Sequence, residues 1–340
     1  MSKAQEILAR STVIDCHLDL LPDLEAKHRQ GRKNVLLEDY MEGFKKGGVD
    51  VIVSSIFVDS DLLPEMAQKK ALAQIAAFYE ELDTCGGQFV LATCAEDIEK
   101  ARRENKLAIM LAFEGAEPLS GDPSLLRVFY ALGVRILGLC WSRSNWAADG
   151  SRFFDFDYQG YGLTEGGREL VRQAEQLGMV IDISHTNEKT FWDVVEASHQ
   201  PIIATHSCAR ALSDTPRNLS DDQIRAIAKL GGVIGINGAS LVARFADPAG
   251  ATVSDLAAHM EYESRLTSPD ILAVGLDQCD RLESSSTMQK EEFRCVFDVI
   301  PTHEGLEGLV SALLEKGMSE DQISGALGGN LMRVLRRVLG

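Results

Sequence analysis

The sequence predicts an α/β protein built as a closed barrel of eight parallel strands, each followed by a helix. Eight short apolar runs recur along the 340 residues, and segments with helical spacing separate them. This alternation is typical of a parallel sheet covered on both faces, and eight such units match a (β/α)8 TIM barrel. A doubly wound sheet would need a phosphate-binding glycine turn, and neither G-x-G-x-x-G nor G-x-x-x-x-G-K-[ST] occurs. The predicted strands are residues 13–19, 49–58, 107–114, 134–140, 179–184, 201–206, 232–237 and 271–277.

Helix signals mark the segments between these strands. TEGGRELVRQAEQLG, SDDQIRAIAKLGG and TVSDLAAHMEYESRL carry apolar residues at helical spacing, with capping residues before some and Gly after several. Further elements are predicted at 64–83 (a long helix), 88–93 (a strand) and 319–337 (a C-terminal helix). Residues 141–164 are rich in Gly and aromatic residues and exceed a routine connection, so they are predicted to form a lid-like active-site loop. No linker divides residues 1–340, and a single barrel domain is expected.

Composition and charge narrow the class of partner and compartment. The chain has 34 Lys and Arg against 51 Asp and Glu, a formal net charge of −17, with a sequence pI of about 4.9. This balance argues against nucleic acid or an anionic membrane as a partner. The first residues lack the apolar core of a signal peptide, and no apolar run is long enough to span a bilayer. The seven Cys are scattered without a Cys-x-x-Cys pair, which predicts reduced thiols and a cytoplasmic protein.

Ionisable residues cluster at the ends of the predicted strands. In TVIDCHLDLL, Asp15, His17 and Asp19 alternate, and alternate side chains of a strand share a face. Function in this barrel class sits at the C-terminal ends of the strands. Imidazoles and carboxylates gathered there are the ligands of a hydrolytic zinc or di-zinc centre, which leaves positions open for water. The groups are His17 and Asp19 on the first strand, Glu114 on the third, His185 on the fifth, His206 on the sixth and Asp277 on the eighth.

Each of these residues taken alone has a structural interpretation. A single His at a strand end is more often hydrogen-bonded within the fold, Glu114 could form an ion pair, and Asp277 could cap a turn. The joint pattern favours a metal site, because burying so many ionisable groups together is costly without a cation. Asp15 is expected to make hydrogen bonds deeper in the barrel, and Cys208 is expected to be a small buried residue. The remaining histidines, His28, His199, His259 and His303, are expected at surface positions.

These segments resemble the renal (membrane) dipeptidase family, peptidase family M19 of the amidohydrolase superfamily. IDCHLDLL is similar to the family's opening H-x-D motif. The likeness continues through FEGAEPL, LGVRILGL, GLTEGGRELVRQAEQLGMVIDISH, THSCARALSDTPRNLSDDQIRAIAKLGGVIGIN and GGNLMRVLRRV, and so covers nearly the whole chain. The resemblance implies a (β/α)8 barrel with two zinc ions that hydrolyses dipeptides, some with a D-residue at the C-terminal position. Relatives are commonly dimers, and a homodimer is compatible with the sequence.

The resemblance also implies a role for each matching residue. His17 and Asp19 would bind one zinc ion and His185 and His206 the other, with Glu114 bridging both. Asp277 would pass the proton of the bridging water to the leaving amine. Arg217, in TPRNLSDD, would bind the substrate's terminal carboxylate, for which a planar guanidinium offers two parallel hydrogen bonds. Without the resemblance, Arg217 would be taken for a surface arginine at a helix start.

Two positions depart from the family pattern and concern substrate more than metal. Trp141, in GLCWSRSN, stands where the family usually has a histidine that contacts the substrate, and it can stack but cannot act as a cationic imidazole. The family's G-x-D-F-D-G reads GLDQCDR here, so Asp280 is an alternative to Asp277. The sequence therefore predicts a zinc-dependent, dipeptidase-like hydrolase of a small amide with a free carboxylate. Hydrolysis of a lactone or an N-acyl amino acid, or a non-catalytic binding role, are the alternatives.

Overall fold

The fold is a closed barrel of eight parallel strands. We describe a computed structural model of the chain over residues 1–279, 290, 293 and 296–340. Around the barrel the strands run β1, β2, β4, β5, β6, β7, β8 and β9, and β9 pairs with β1 to complete the ring. The strands are β1 (Ile14–Leu18), β2 (Val51–Ile56), β3 (Phe89–Leu91), β4 (Leu107–Glu114), β5 (Val134–Gly138), β6 (Val180–Asp182), β7 (Ile202–Ser207), β8 (Ile234–Ile236) and β9 (Leu272–Val274).

All eight predicted barrel strands are present, so the predicted (β/α)8 class is confirmed. The additional strand predicted at 88–93 is β3, which pairs with the first half of β4 alongside the ring. β5 pairs with the second half of the same edge of β4, and β2 occupies the other edge. Because every strand is parallel to its neighbours, the carboxyl ends of the eight ring strands meet at one mouth of the barrel.

Helices follow the strands and cover the barrel. The predicted helical segments are α7, α9 and α11, and Gly178 and Gly231 end the first two in the left-handed conformation. The helices are α1 (Lys3–Arg10), α2 (Leu20–Arg29), α3 (Met41–Gly47), α4 (Ala67–Thr84), α5 (Ala95–Arg103), α6 (Leu126–Ala131), α7 (Glu165–Leu177), α8 (Glu188–Ala197), α9 (Asp221–Leu230), α10 (Ser240–Ala243), α11 (Val253–Leu266), α12 (Leu306–Glu315), α13 (Glu320–Ser324) and α14 (Asn330–Leu339).

The predicted additional elements are found with altered limits. The long helix expected at 64–83 is α4, which begins three residues later. The helix expected at 319–337 is divided into α13 and α14, because Gly328 has an extended φ of 174° between them. A Cβ at Gly328 would lie 2.3 Å from the carbonyl oxygen of Thr12, so the close approach to the start of β1 requires glycine. No helix in the described ranges combines the length and the apolar composition that a membrane span requires.

Two apolar layers hold the strands in place. One cluster joins side chains from the barrel strands, such as Val51, Met110 and Ile203, with residues of α14. The larger cluster packs the other face of the strands against the helices. Residues 139–164 run from β5 to α7, and Asp149 in this segment is fully buried and accepts hydrogen bonds from Ser144, Tyr158 and Asn187. The action of residues 141–164 as a lid stays a prediction.

Candidate metal centre

An irregularity in β1 decides which of its polar side chains reach the barrel mouth. Asp15 pairs with Ile52 of β2, but Leu18 pairs with Ser54, so β1 has one extra residue between them. Such a bulge breaks the alternation of side chains along a strand. Asp15 consequently turns to His303, with Oδ2 2.8 Å from Nε2, and accepts from the backbone N–H of Leu276. The predicted common face of Asp15, His17 and Asp19 therefore holds for His17 and Asp19 only, although Asp15 still accepts from the backbone N–H of His17.

Three imidazoles surround one carboxylate oxygen. Glu114 Oε1, at the end of β4, lies 3.6 Å from His17 Nε2, 3.1 Å from His185 Nε2 and 3.7 Å from His206 Nε2. Ligand atoms held tetrahedrally about 2.1 Å from a zinc ion lie about 3.4 Å from one another. The distances from Glu114 Oε1 to the three nitrogens are therefore close to those between ligands of one metal ion.

A second group of possible ligands shares His17. His17 Nε2 lies 3.8 Å from Asp19 Oδ1 and 3.8 Å from Asp277 Oδ1. These three atoms lie close enough together to hold a metal ion, as do the ligand atoms of His17, Glu114 and His206. His17 Nε2 is buried and has no hydrogen-bond partner in the part of the chain that the structure describes. A buried nitrogen without a partner is costly in an otherwise satisfied site, and a cation between the two groups would remove that cost.

The hydrogen bonds of the Thr205 hydroxyl determine which ring nitrogen of His206 carries the proton. Thr205 Oγ1 lies 2.6 Å from Asp182 Oδ2 and 2.8 Å from His206 Nδ1. The single hydroxyl proton points to the carboxylate, so the hydroxyl oxygen must accept a proton from Nδ1. Nε2 of His206 then carries a lone pair, the form that binds metal.

His185 is held by hydrogen bonds at both ring nitrogens. Its Nδ1 lies 2.8 Å from Ser142 Oγ, and its Nε2 lies 2.8 Å from His206 Nε2. When both Nε2 atoms are unprotonated, as metal binding requires, their lone pairs face each other. Two such lone pairs at this distance repel unless a proton or a cation lies beside both. The donor chemistry of the site thus fits a divalent metal such as zinc.

Burial sets the charges of the site residues. It lowers the pKa of His17 to about 3, with a further contribution from the Arg217 cation, and it lowers the pKa of His185 and His206 well below the usual value. Burial raises the pKa of Glu114 well above its usual range, and the charges of Asp19 and Asp277 raise it further. Neutral imidazoles beside carboxylates that are costly to ionise form a site whose free energy falls when a cation enters.

Two candidate ligands occupy the left-handed region of backbone space. His185 has φ 66° and Asp277 has φ 52°, a conformation that few residues other than glycine adopt. Asn237 Nδ2 donates to Asp277 Oδ2 over 2.9 Å, which orients the carboxylate toward His17. Strained backbone of this kind persists where the surrounding structure enforces it, and it concentrates at functional sites.

Arg217 lies in the same cavity as the metal residues. It is 3 % exposed, which excludes the surface position expected without the resemblance. Its Nη1 donates to Ser207 Oγ over 3.0 Å and its Nη2 to the carbonyl oxygen of His206 over 2.7 Å. Nε is buried and has no partner within the described ranges. A guanidinium fixed at two points that lines the cavity is suited to binding a carboxylate.

Trp141 borders the cavity on another side. Its ring lies 5.5 Å from that of His185, 5.6 Å from Phe57 and 5.8 Å from Phe153, centroid to centroid. Phe57, Trp141 and Phe153 line the cavity together with Asp19, Glu114 and Arg217. We call these three rings the aromatic wall. The structure thus places Trp141 beside the metal residues.

The surface positions expected for the other histidines are wrong for two of them. His303 is 3 % exposed, and its Nε2 lies 2.8 Å from Asp15 Oδ2. His259 is 1 % exposed and bonds through both ring nitrogens, to the carbonyl oxygen of Ala243 and the N–H of Ala209. Cys208 is buried as expected, whereas Asp280, the alternative to Asp277, lies outside the described residues.

Sequence reasoning missed the residues that orient the ligands. Ser142, Asp182, Thr205 and Asn237 have no motif of their own, and their roles depend on contacts between different strands. One signal was present: Asp182 and Thr205 are polar residues inside runs that are otherwise apolar. Polar residues at such positions need partners when buried, so they could have been marked as hydrogen-bonded neighbours of the site.

A (β/α)8 barrel with imidazoles and carboxylates gathered at the carboxyl ends of its strands is the architecture of a metal-dependent hydrolase. The sequence model of the membrane dipeptidase family, peptidase family M19, matches residues 1–339. The chain belongs to this family and is accordingly an enzyme of the metallodipeptidase class.

Individual relatives are similar to the chain over most of its length. A protein encoded in the pqqA 5' region of Klebsiella pneumoniae is 34 % identical over 269 residues, which are 78 % of this chain and 94 % of that protein. Dipeptidase 3 of Homo sapiens is 29 % identical over 362 residues, covering 99 % of this chain and 67 % of that protein. A metallo peptidase from Rhodobacter sphaeroides, liganded with a phosphinate mimic of L-Ala-D-Ala, superposes with a TM-score of 0.85 at 25 % identity over 96 % of this chain and 99 % of that one.

Proposed function

We propose that the protein is a zinc-dependent dipeptidase that hydrolyses the amide bond of a small substrate with a free carboxylate, using two zinc ions. The observation that carries the proposal is the convergence of three Nε2 atoms within 3.7 Å of Glu114 Oε1, beside a second group formed by His17, Asp19 and Asp277. His17 and Asp19 would hold one ion and His185 and His206 the other. Glu114 lies between the groups and would bridge them.

Other residues of the site bind the substrate and move its protons. When bound, zinc lowers the pKa of a water ligand toward about 7 and polarises a carbonyl oxygen. Asp277 lies beside His17, where its carboxylate can take the proton of the attacking water and give it to the leaving amine. Burial raises the pKa of Asp277 to about 7, which suits a group that accepts and releases a proton near neutral pH. Arg217 holds the terminal carboxylate and so places the scissile amide over the metal residues.

One relative supports a proposal on the stereochemistry of the substrate. The Rhodobacter sphaeroides protein holds a mimic of a dipeptide that ends in D-Ala, and we propose that this chain also accepts a D-residue at the C-terminal position. Hydrolysis of an N-acyl amino acid is a second candidate, because the described lining of the cavity is mostly apolar beside Arg217. The expected cytoplasmic location and homodimeric assembly stay predictions.

Replacing Glu114 by Gln tests the proposal. The native enzyme should hydrolyse L-L or L-D dipeptides, lose activity with a chelator and regain it with zinc. Glu114→Gln removes the shared negative charge, so both bound zinc and activity should fall together. Glu196→Gln, an exposed carboxylate on α8, is the matched control and should retain both. Full zinc content and activity in Glu114→Gln would contradict the bridging role, and no hydrolysis of any dipeptide by zinc-loaded native protein would contradict the proposed function.

A further inference from the structure

Phe57, one ring of the aromatic wall, lies across the barrel mouth from Arg217. Phe57 directly follows β2, and Arg217 is bonded to His206 and Ser207 at the end of β7. In the ring of eight strands, β2 and β7 are four places apart, which is the largest separation possible. The candidate metal residues are contributed by β1, β4, the end of β6, β7 and the end of β9, and Trp141 follows β5, two places from β7.

The wall is held rigid from behind. The guanidinium of Arg143 lies 5.2 Å from the ring centre of Phe57 and 5.3 Å from that of Trp141. Its three nitrogens donate to Glu117, to Ser60 and to the carbonyl oxygen of Val58, so its position is fixed. Cation–π contacts of this kind stabilise the rings without occupying the face that borders the cavity. The rings are therefore already in place before a ligand binds, which reduces the entropy cost of binding.

The order of groups along the cavity matches the order of groups along a substrate. With the terminal carboxylate at Arg217 and the amide carbonyl at the metal residues, the part of the substrate beyond the carbonyl reaches the opposite rim. Phe57 lies on that rim, and Trp141 lies between Phe57 and His185, in ring contact with both. Aromatic rings bind flat or bulky apolar groups through burial and through stacked or edge contacts.

We propose that the enzyme selects substrates with an aromatic or bulky apolar side chain on the acyl side of the scissile amide, and that Trp141 is the residue that determines this selectivity. The inference rests on the proposed function, since it needs the carboxylate at Arg217 and the amide at the metal residues. Dipeptides such as Phe-Ala then bind with the phenyl ring against the wall, and Gly-Ala leaves the wall empty.

Two substrates and three variants test the inference. For the native zinc-loaded enzyme we expect kcat/KM for Phe-Ala to exceed that for Gly-Ala by roughly ten- to a hundredfold, from burial of the phenyl group. Trp141→Ala should reduce this ratio by roughly tenfold, because a stacked ring and its buried area are lost. Trp141→Phe keeps a ring at the position and should retain most of the ratio. Trp192→Ala, an exposed tryptophan on α8 outside the cavity, is the matched control and should leave the ratio unchanged.

The outcomes separate this inference from the proposed function. Equal kcat/KM for the two dipeptides would overturn the inference and leave the dipeptidase intact. A preference that survives Trp141→Ala would overturn the assignment to Trp141. If no dipeptide is hydrolysed, the proposed function fails, and binding of Phe-Ala and Gly-Ala followed by tryptophan fluorescence still decides: equal affinities overturn the inference. Thermal melting of each variant shows whether a lost preference comes from a lost fold.

Discussion

Removing the hydroxyl of Thr205 is the smallest change that tests how the metal centre is organised. Thr205→Val keeps the shape of the side chain and removes the oxygen that joins Asp182, 2.6 Å away, to His206 Nδ1, 2.8 Å away. Without this acceptor, His206 is free to carry its proton on Nε2, the nitrogen that faces Glu114 and His185. A protonated Nε2 cannot bind a metal ion. We therefore expect Thr205→Val to weaken metal binding although Thr205 does not face the metal itself.

The loss of one hydrogen-bonded neighbour of His206 determines the size of the expected loss in metal affinity. Removing a hydrogen-bonded neighbour of a ligand costs roughly 10- to 100-fold in metal affinity, or about 1.4–2.7 kcal/mol. The cost to folding is separate. Asp182 Oδ2 loses its bond to the hydroxyl, while Oδ1 keeps the backbone N–H groups of Ser184 and Thr205. The free energy of unfolding of the metal-free protein should fall by about 1–3 kcal/mol, the usual cost of one unsatisfied buried acceptor.

Two measurements separate the loss of metal affinity from the loss of stability. Competition with a chromophoric chelator gives the metal affinity, and urea unfolding gives the stability of the metal-free protein. Thr205→Ser restores the hydroxyl without the methyl group and should bind metal nearly as well as the native protein. Native affinity in Thr205→Val would refute the reasoning, because the tautomer of His206 would then not depend on Thr205. Equal losses in Thr205→Val and Thr205→Ser would refute it as well, since the hydroxyl would not be the cause.

Two further predictions concern residues that are not candidate metal ligands. Arg217→Ala should lower kcat/KM roughly 30- to 1000-fold, or about 2–4 kcal/mol. Amidating the substrate's carboxylate should add little further loss in the variant, because both changes remove the same contact. Additive losses would show that Arg217 does not bind that carboxylate. Glu263, fully buried in α11, has no partner for either carboxylate oxygen among the described residues, and burial raises its pKa well above the usual value. The pKa of Glu263 is higher in the folded state than in the unfolded state. Its contribution to the free energy of unfolding is therefore present below about pH 4.3 and is lost as pH rises, by up to about 1.4 kcal/mol per pH unit. Glu263→Gln should flatten that decline relative to the native protein in pH-dependent urea unfolding, and parallel profiles would contradict the prediction.

The sequence was sufficient to find the barrel and the strands that carry the site. Apolar runs of strand length separated by helices fix a parallel barrel, and a parallel barrel brings all strand ends to one mouth. For this reason His17, Glu114 and His206 could be assigned to one site although they are far apart in the chain. Arg217 could not be placed by periodicity, because it lies in the irregular segment after β7 and only the family resemblance indicated it.

The sequence could not predict the direction of each side chain near the candidate ligands, because the strands that carry them are irregular at those positions. In β1 the register shifts between Asp15 and Leu18, so the side chain of Asp15 points to His303 and not into the barrel mouth. In β7 it shifts between Ala204 and Ser207, and the adjacent residues Thr205 and His206 come to share a hydrogen bond although regular alternation would place them on opposite faces. A bulge depends on how two strands pair, which a hydrophobic pattern within one strand does not record. Regular pleating would send every second side chain of a strand inward, whereas a metal ligand and the residue that orients it must both reach the same point. The irregularities thus follow from what the centre requires, and sites of this kind are where alternation along a strand should be expected to fail.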